Sequence, residues 1–208
     1  YVVKSGDISN DLDYVSADAL SLNNGQITDL AGNVANLKLQ VPGEGTSGNT
    51  SLGYSADIIV DGQIPTISSV TSSKSDGIYS VGDLIDINLV FTENVIVTGT
   101  PEITLETGNT KAVVGYGRGS GGNTLIFDYQ IKEGHISGDL DYRSSTTLNL
   151  AGGTIKDGAG NNANLNLVSP GTSGSLGANK NLNILYVEVV EISAKVNDGY
   201  YNTGDIVP

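Results

Sequence analysis

The chain has no cysteine, no methionine, no tryptophan and a single histidine, His135. Without cysteine there is no disulfide framework, no thiolate nucleophile and no Cys-ligated zinc site. Small secreted domains often depend on disulfides, but a domain above roughly 100 residues buries enough core without them, so this lack assigns no compartment by itself. Basic residues are also scarce: 10 Lys and Arg stand against 23 Asp and Glu, a formal net charge of −13. Nucleic-acid binding needs protein cations to displace counterions, so that class is disfavoured. No apolar run approaches the ~20 residues of a membrane-spanning helix, and no leader pattern precedes Tyr1, which reads as lying within a strand. Apolar residues at i, i+3, i+4 and i+7 are missing over any long stretch, so almost no helix is expected.

What is present is turn chemistry. The 28 glycines, with clusters of Asn, Ser and Thr, separate short apolar runs at short intervals, which points to an all-β chain. The acidity has two readings: solubility through mutual repulsion, or carboxylates grouped around divalent cations.

The sequence also repeats. Residues 1–43 align without gaps on 129–171, with 24 identities in 43 positions. DLDY at 11–14 returns at 139–142, DLAGN at 29–33 returns as DGAGN at 157–161, and ANL at 35–37 returns at 163–165. SDGIYSVGDLI at 75–85 returns as NDGYYNTGDIV at 197–207. The period, roughly 120–130 residues, is too long for a solenoid and matches an independent domain. The organisation read from it is the second half of a first repeat at 1–64, a complete repeat at 65–186 and the start of a third at 187–208.

Within the complete repeat, IDINLVF at 85–91 alternates, with Ile85, Ile87, Leu89 and Phe91 on one face and Asp86 and Asn88 on the other. LIFDYQI at 125–131 does the same through Leu125, Phe127, Tyr129 and Ile131. Further strands are expected at 67–70, 95–97, 103–105, 112–116, around Leu148 and Leu150, at Ile155, at Leu165 and Leu167, and at 182–187. The glycine-rich stretch 117–123 is expected to form a hairpin tip. A phosphate loop would need a following helix, and here a strand follows. Eight to ten short strands spaced 8–12 residues apart fit a β-sandwich, with a closed barrel as the alternative.

In order along the chain stand Y-x-x-G-D-x-I, V-F-T-E-x-V-x-V-T-G-T-P, I-x-L-E-T-G, GDLDY and L-N-L-x-G-G-T-I-x-D-x-A-G-N. They place Tyr79, Gly82, Asp83, Phe91, Glu93, Gly99, Pro101, Leu105, Gly108, Asp139, Asp141, Gly153, Asp157 and Asn161. This pattern resembles the immunoglobulin-like repeats of giant bacterial surface proteins, including large adhesins and the cyanobacterial swimming-motility cell-surface repeats. The resemblance covers nearly the whole chain. It implies tandem immunoglobulin-like antiparallel β-sandwich domains acting as an extracellular, cell-surface spacer, often stiffened by Ca²⁺. It does not fix a biological role, because such stalks carry different tips.

Ca²⁺ takes six to eight oxygens from carboxylates, carbonyls and Asn side chains. The first candidates are Asp157 and Asn161, with Asp29 and Asn33 in the partner loop. The alternative is an Asp-Gly turn in which Asp bonds its own backbone. Asp139 and Asp141, like Asp11 and Asp13, lie two apart; in a strand each pair would share a face and either bridge a cation or lie on a solvated edge. Glu93, at the end of an apolar strand, and Asp61, near a junction, could share a cation with a neighbouring loop, by analogy with other calcium-stiffened tandem domains. His135 has no second His or Cys to ligate zinc with, and is expected on a surface loop. No G-x-S-x-G elbow surrounds a serine, and no stacking tryptophan supports a glycosidase reading of paired carboxylates. No catalytic role is therefore read. Two other functions remain: a polysaccharide-binding module with a groove lined by Tyr14, Tyr116, Tyr129 or Tyr142, and a self-assembling filament or surface-layer subunit. The expected partners are neighbouring repeats, then other copies of the chain or cell-surface glycans. Residues 1 to about 60 lack their repeat's first half and would expose unpaired strands unless something covers them.

Overall fold

The computed structural model describes residues 1–187 together with Gly199, Asn202 and Thr203. The expected third repeat at 187–208 lies otherwise outside the described residues. In chain order the elements are β1 (Ile8–Ser9), β2 (Gly45–Thr46), β3 (Asn49–Thr50), α1 (Leu52–Ser55), β4 (Val60–Asp61), β5 (Ile67–Thr71), β6 (Gly77–Tyr79) and β7 (Leu84–Phe91). They continue with β8 (Ile96–Thr98), β9 (Glu102–Leu105), β10 (Ala112–Arg118), β11 (Thr124–Gln130), β12 (Leu148–Asn149), β13 (Thr154–Lys156), α2 (Leu176–Asn179) and β14 (Leu182–Ile184). The described residues are all-β apart from two four-residue helical turns.

The centre is a curled six-stranded antiparallel sheet in the order β12-β9-β10-β11-β7-β5. Strict alternation in β7 and β11 decides its two faces. Ile85 pairs with Tyr129, Ile87 with Phe127 and Leu89 with Leu125, and all six side chains are buried. On the other face Asp86 lies opposite Asp128, a like-charge pairing that costs stability unless each carboxylate is separately satisfied. Each is satisfied: Arg118 donates to Asp128 at 2.5 Å. Asp86 accepts from the Ser73 amide at 2.8 Å, the Ser73 hydroxyl at 2.8 Å and Asn88 Nδ2 at 2.8 Å. Burial works against the Asp86 charge, but the hydrogen bonds the carboxylate accepts, those from Ser73 foremost, together hold it below its ordinary range.

The buried face is closed by elements from the second half of the repeat. Leu140, Tyr142, Ile155, Leu167, Leu176, Leu182 and Ile184 join the sheet's residues in a single apolar cluster. Two short ladders tie this layer down: β13 runs antiparallel to β8, and β14 runs parallel to β6. Burying each Leu, Ile, Val or Phe contributes roughly 1.5–3 kcal/mol, so this cluster carries the fold. The hairpin tip between β10 and β11 turns at Gly119, whose φ of +112° suits glycine; a Cβ there would stand 2.1 Å from the Thr124 carbonyl.

Two strand expectations fail. Leu165 and Leu167 form no strand. Asn164 makes one isolated parallel bridge to Thr66, and the Leu167 amide donates to Ser145 across a loop. Residues 1–3 are not in a strand either. Their counterparts, Tyr129 and the residues after it, lie at the end of β11 beside β7, and among the described residues no β7-like strand lies beside Tyr1.

The half-repeat at 1–64 nevertheless keeps the backbone bonds of residues 129–186. Leu39 N donates to Ala17 O, as Leu167 N does to Ser145 O, and Ala35 N donates to Ile27 O, as Ala163 N does to Ile155 O. The Tyr14 hydroxyl donates to the Gln40 carbonyl, 26 residues ahead, and Tyr142 does the same to Val168, also 26 ahead. Pro42 to Gly53 spans four residues more than Pro170 to Gly177, and the extra length forms the β2–β3 hairpin.

Candidate metal site at the repeat junction

The loop 157–161 follows β13 and closes on itself. The Asp157 amide donates to the Asn161 carbonyl at 3.1 Å. Asp157 Oδ1 accepts from the Asn161 amide at 2.8 Å, and Oδ2 accepts from Asn161 Nδ2 at 2.7 Å. This is the self-bonded Asp turn, made possible by Gly160 at φ +96°. The loop 29–33 repeats it, with Asp29 accepting from the Asn33 amide at 2.8 Å and from Asn33 Nδ2 at 2.8 Å. Those bonds, the Asn33 side chain foremost, hold the Asp29 carboxyl below its ordinary range.

The two loops differ in their surroundings. Asp29 is exposed. Asp157 is buried, and Asn161 Nδ2 also donates to the Asp61 backbone carbonyl at 2.9 Å, 100 residues away. That bond joins β4 of the half-repeat to the complete repeat. Glu93, in the loop between β7 and β8, completes the group: ligand oxygens of Asp61, Glu93 and Asp157 all lie within 4.8 Å of one another. Among the described residues this is the one cluster of three potential metal-ligating side chains.

Its electrostatics are unfavourable as they stand. Two unit charges about 4–5 Å apart repel by about 3–4 kcal/mol at an effective dielectric of 20, and less where water intervenes. Burial, then Asp61, then Asp157 push the Glu93 carboxyl above its ordinary range. Glu93 Oε1 is shielded from solvent and has no hydrogen-bond partner, although buried polar atoms almost always have one. A proton or a cation would relieve both problems. The donors are all hard oxygens, a set that suits Ca²⁺ or Mg²⁺ rather than zinc. Asn161 presents its N–H groups here, so it positions the carboxylates rather than adding an oxygen ligand.

The remaining candidates do other work. Asp139 and Asp141 do not sit in a regular strand. They converge on the first turn of α2: a Cβ on Gly177 would lie 3.0 Å from Asp141 Oδ2 and 3.4 Å from Asp139 Oδ2. Asp141 Oδ2 accepts from the Gly171 amide at 2.9 Å. Asp11 and Asp13 stand likewise over Gly53, at 3.0 Å each, and Asp13 accepts from the Gly43 amide at 3.0 Å. These bonds satisfy loop amides directly. Burial, then Asp141 and Asp76, oppose the charge on Asp139 and leave its carboxyl above the ordinary range despite a bond from Leu182.

One expectation needs correction. His135 is buried, not on a surface loop. Its Nδ1 accepts from the Lys132 amide at 3.2 Å and lies 2.9 Å from the Tyr129 hydroxyl, with the two rings stacked at 5.6 Å. The preceding residues give no periodicity that marks this burial; the signal lay in the tyrosine six residues earlier. Of the four tyrosines named for a sugar groove, Tyr129 and Tyr142 are in the core, Tyr116 packs edge-on against Phe127 at 6.0 Å, and Tyr14 is half-buried.

Compared with known proteins, the chain matches no family model, no curated protein and no solved structure.

Proposed function

We propose that this chain serves as a structural spacer in a large bacterial surface protein, built of tandem immunoglobulin-like β-sandwich repeats and stiffened by Ca²⁺ where one repeat meets the next. The observation that carries the reading is the orphaned Glu93 Oε1, held beside Asp157 of its own repeat and Asp61 of the preceding one. A cation there would be held by Glu93, Asp61 and Asp157, and would supply the positive charge that lets three carboxylates share the junction. Asn161 orients Asp157 and fixes the Asp61 backbone. The chain's role is mechanical: a hinge between domains loses freedom when residues from both sides share one ion. We assign it no enzymatic step.

The Asp139/Asp141 and Asp11/Asp13 pairs and the Asp29–Asn33 loop are subordinate candidates in this reading, because among the described residues only Asp61, Glu93 and Asp157 bring three carboxylates together. A filament or surface-layer subunit is a second reading, favoured by the exposed apolar side chains of residues 1–64. Glycan binding would rest on the half-buried Tyr14 and Tyr116, since Tyr129 and Tyr142 are in the core.

Titration calorimetry tests the metal. The reading expects Ca²⁺ to bind the chain with about one equivalent of strong sites, and Asp61→Asn to remove it. Identical heats for the chain and for Asp61→Asn would overturn the junction assignment.

A further inference from the structure

Strands β10 and β11 pair only near their shared turn, Tyr116 with Phe127 and Arg118 with Ile126. From Gly115 back to Ala112, β10 keeps its ladder with β9, while β11 beyond Phe127 keeps its ladder with β7. The two strands therefore part, and a cleft of about 380 Å³ opens between them. Small-molecule sites run upward from roughly 300 Å³. His135, 4% exposed, lines this cleft. Its Nδ1 accepts from the Lys132 amide, so the neutral ring carries its proton on Nε2. Nε2 bonds no group among the described residues. Nor is it sealed from solvent, because the shielded unpartnered side-chain atoms there are those of Asn88 and Glu93 alone. The cleft thus holds a donor, on a side chain more than nine-tenths buried, that the fold leaves unused.

Charge selects the ligand. Besides His135, the titratable side chains with a charge in the cleft lining are Lys111, Asp128 and Lys132. Lys111 pairs with Glu106, and Asp128 with Arg118. Lys132 is exposed and makes no ion pair among the described residues. One uncompensated positive charge suits a monoanion rather than a dianion such as phosphate, and an N–H beside an ammonium suits an oxygen acceptor. A metal is disfavoured, because His135 belongs to no group of three potential ligands among the described residues. We propose that the cleft between β10 and β11 binds a small monoanionic carboxylate, which accepts from His135 Nε2 and pairs with the Lys132 ammonium. The site shares no residue with the Asp61, Glu93 and Asp157 cluster, and holds whether or not that cluster takes a cation.

His135 is the only histidine, so its side-chain ¹⁵N resonances report this site alone. Burial lowers its pKa, and at about pH 7.5, above the ordinary histidine value, the ring is neutral. The 208-residue chain is titrated with sodium acetate, a free small acid, and with glucuronate, the form a carboxylate takes in an acidic polysaccharide. Chloride at equal ionic strength and glucose are the controls. Binding predicts a saturable movement of the Nε2 resonance with millimolar acetate, glucuronate or both, and none with chloride or glucose. Tighter binding of one acid marks the source of the carboxylate. Lys132→Gln removes the charge and keeps the amide that holds Nδ1, and it should weaken the affinity about tenfold or more. An unchanged backbone amide spectrum of β7 and β11 shows that the variant is folded. No saturable movement with either acid overturns the proposal. So does an equal movement with chloride or glucose, or an unchanged affinity in folded Lys132→Gln.

Discussion

The side-chain amide of Asn161 donates to the backbone carbonyl of Asp61, 2.9 Å away and 100 residues earlier in the chain. The same nitrogen bonds Asp157 Oδ2. One side chain thus ties the loop that follows β13 to β4, so the acidic cluster is built from residues far apart in the chain.

Glu93→Gln should have opposite effects with and without divalent cation. A carboxyl whose folded pKa is raised binds its proton more tightly in the folded state, so its ionisation at neutral pH lowers stability. Removing that charge should raise the melting temperature in chelator. In Ca²⁺ the variant should melt below the unsubstituted chain, having lost a ligand. Calorimetric scans at pH 7 under both conditions check the crossover.

His135 makes the fold sensitive to mild acid. Burial, followed by the charge of Lys132, lowers its pKa. Its neutral form fits the fold, with Nδ1 accepting from the Lys132 amide. The unfolded chain takes up the proton first as pH falls below about 6.5, so stability drops there and levels off once the folded state protonates too. Replacing His135 by Gln should flatten the melting temperature between about pH 5 and 7, measured by circular dichroism. Glu93 and Asp139 act in the opposite sense nearer the carboxylate range, where acid relieves them.

Much of this was legible in the sequence. The alternation in 84–91 and 124–130 shows directly in the buried faces of β7 and β11, because period-2 patterning has one structural meaning. Glu93 reads as a junction candidate because it follows the apolar strand 85–91, and Asp61 because it precedes the repeat that begins at residue 65. What could not be read is pairing at long range. Leu165 and Leu167 look like a strand, yet no continuous ladder runs beside them. His135 looks like a loop residue until Tyr129 folds over it. The Asp-x-Asp pairs look like ligands, and only the fold brings Gly171 and Gly177 under Asp141.

Tyr14 and Tyr142 make the same bond, but their removal should not cost the same. Tyr142→Phe leaves the Val168 carbonyl without its donor inside the packed repeat, a loss of about 1–2 kcal/mol. Tyr14→Phe acts on a half-repeat that contributes nothing to the apolar core. It should leave the main unfolding transition within about 0.5 kcal/mol of the parent. Chemical denaturation of the two variants separates the cases.

Two glycines near the site offer a matched pair. A Cβ on Gly153 would stand 2.1 Å from the Thr98 carbonyl and 3.1 Å from that of Leu150, whereas one on Gly158 meets nothing within 4 Å. Gly153→Ala should therefore force β13 from β8 and cost roughly 2 kcal/mol or more, while Gly158→Ala should stay within about 0.5 kcal/mol. Equilibrium unfolding in urea would show the difference.

The central claim is that a cation shared by Asp61, Glu93 and Asp157 locks one repeat against the next. The absence of cysteine makes it directly measurable: spin labels on Ala19→Cys and Gln130→Cys report only the distance between the half-repeat and the complete repeat. Pulsed electron-electron resonance should give a broad distance distribution in chelator and a narrow one in millimolar Ca²⁺, with the narrowing lost in Asp61→Asn. A distribution of the same width in Ca²⁺ and in chelator would contradict the claim.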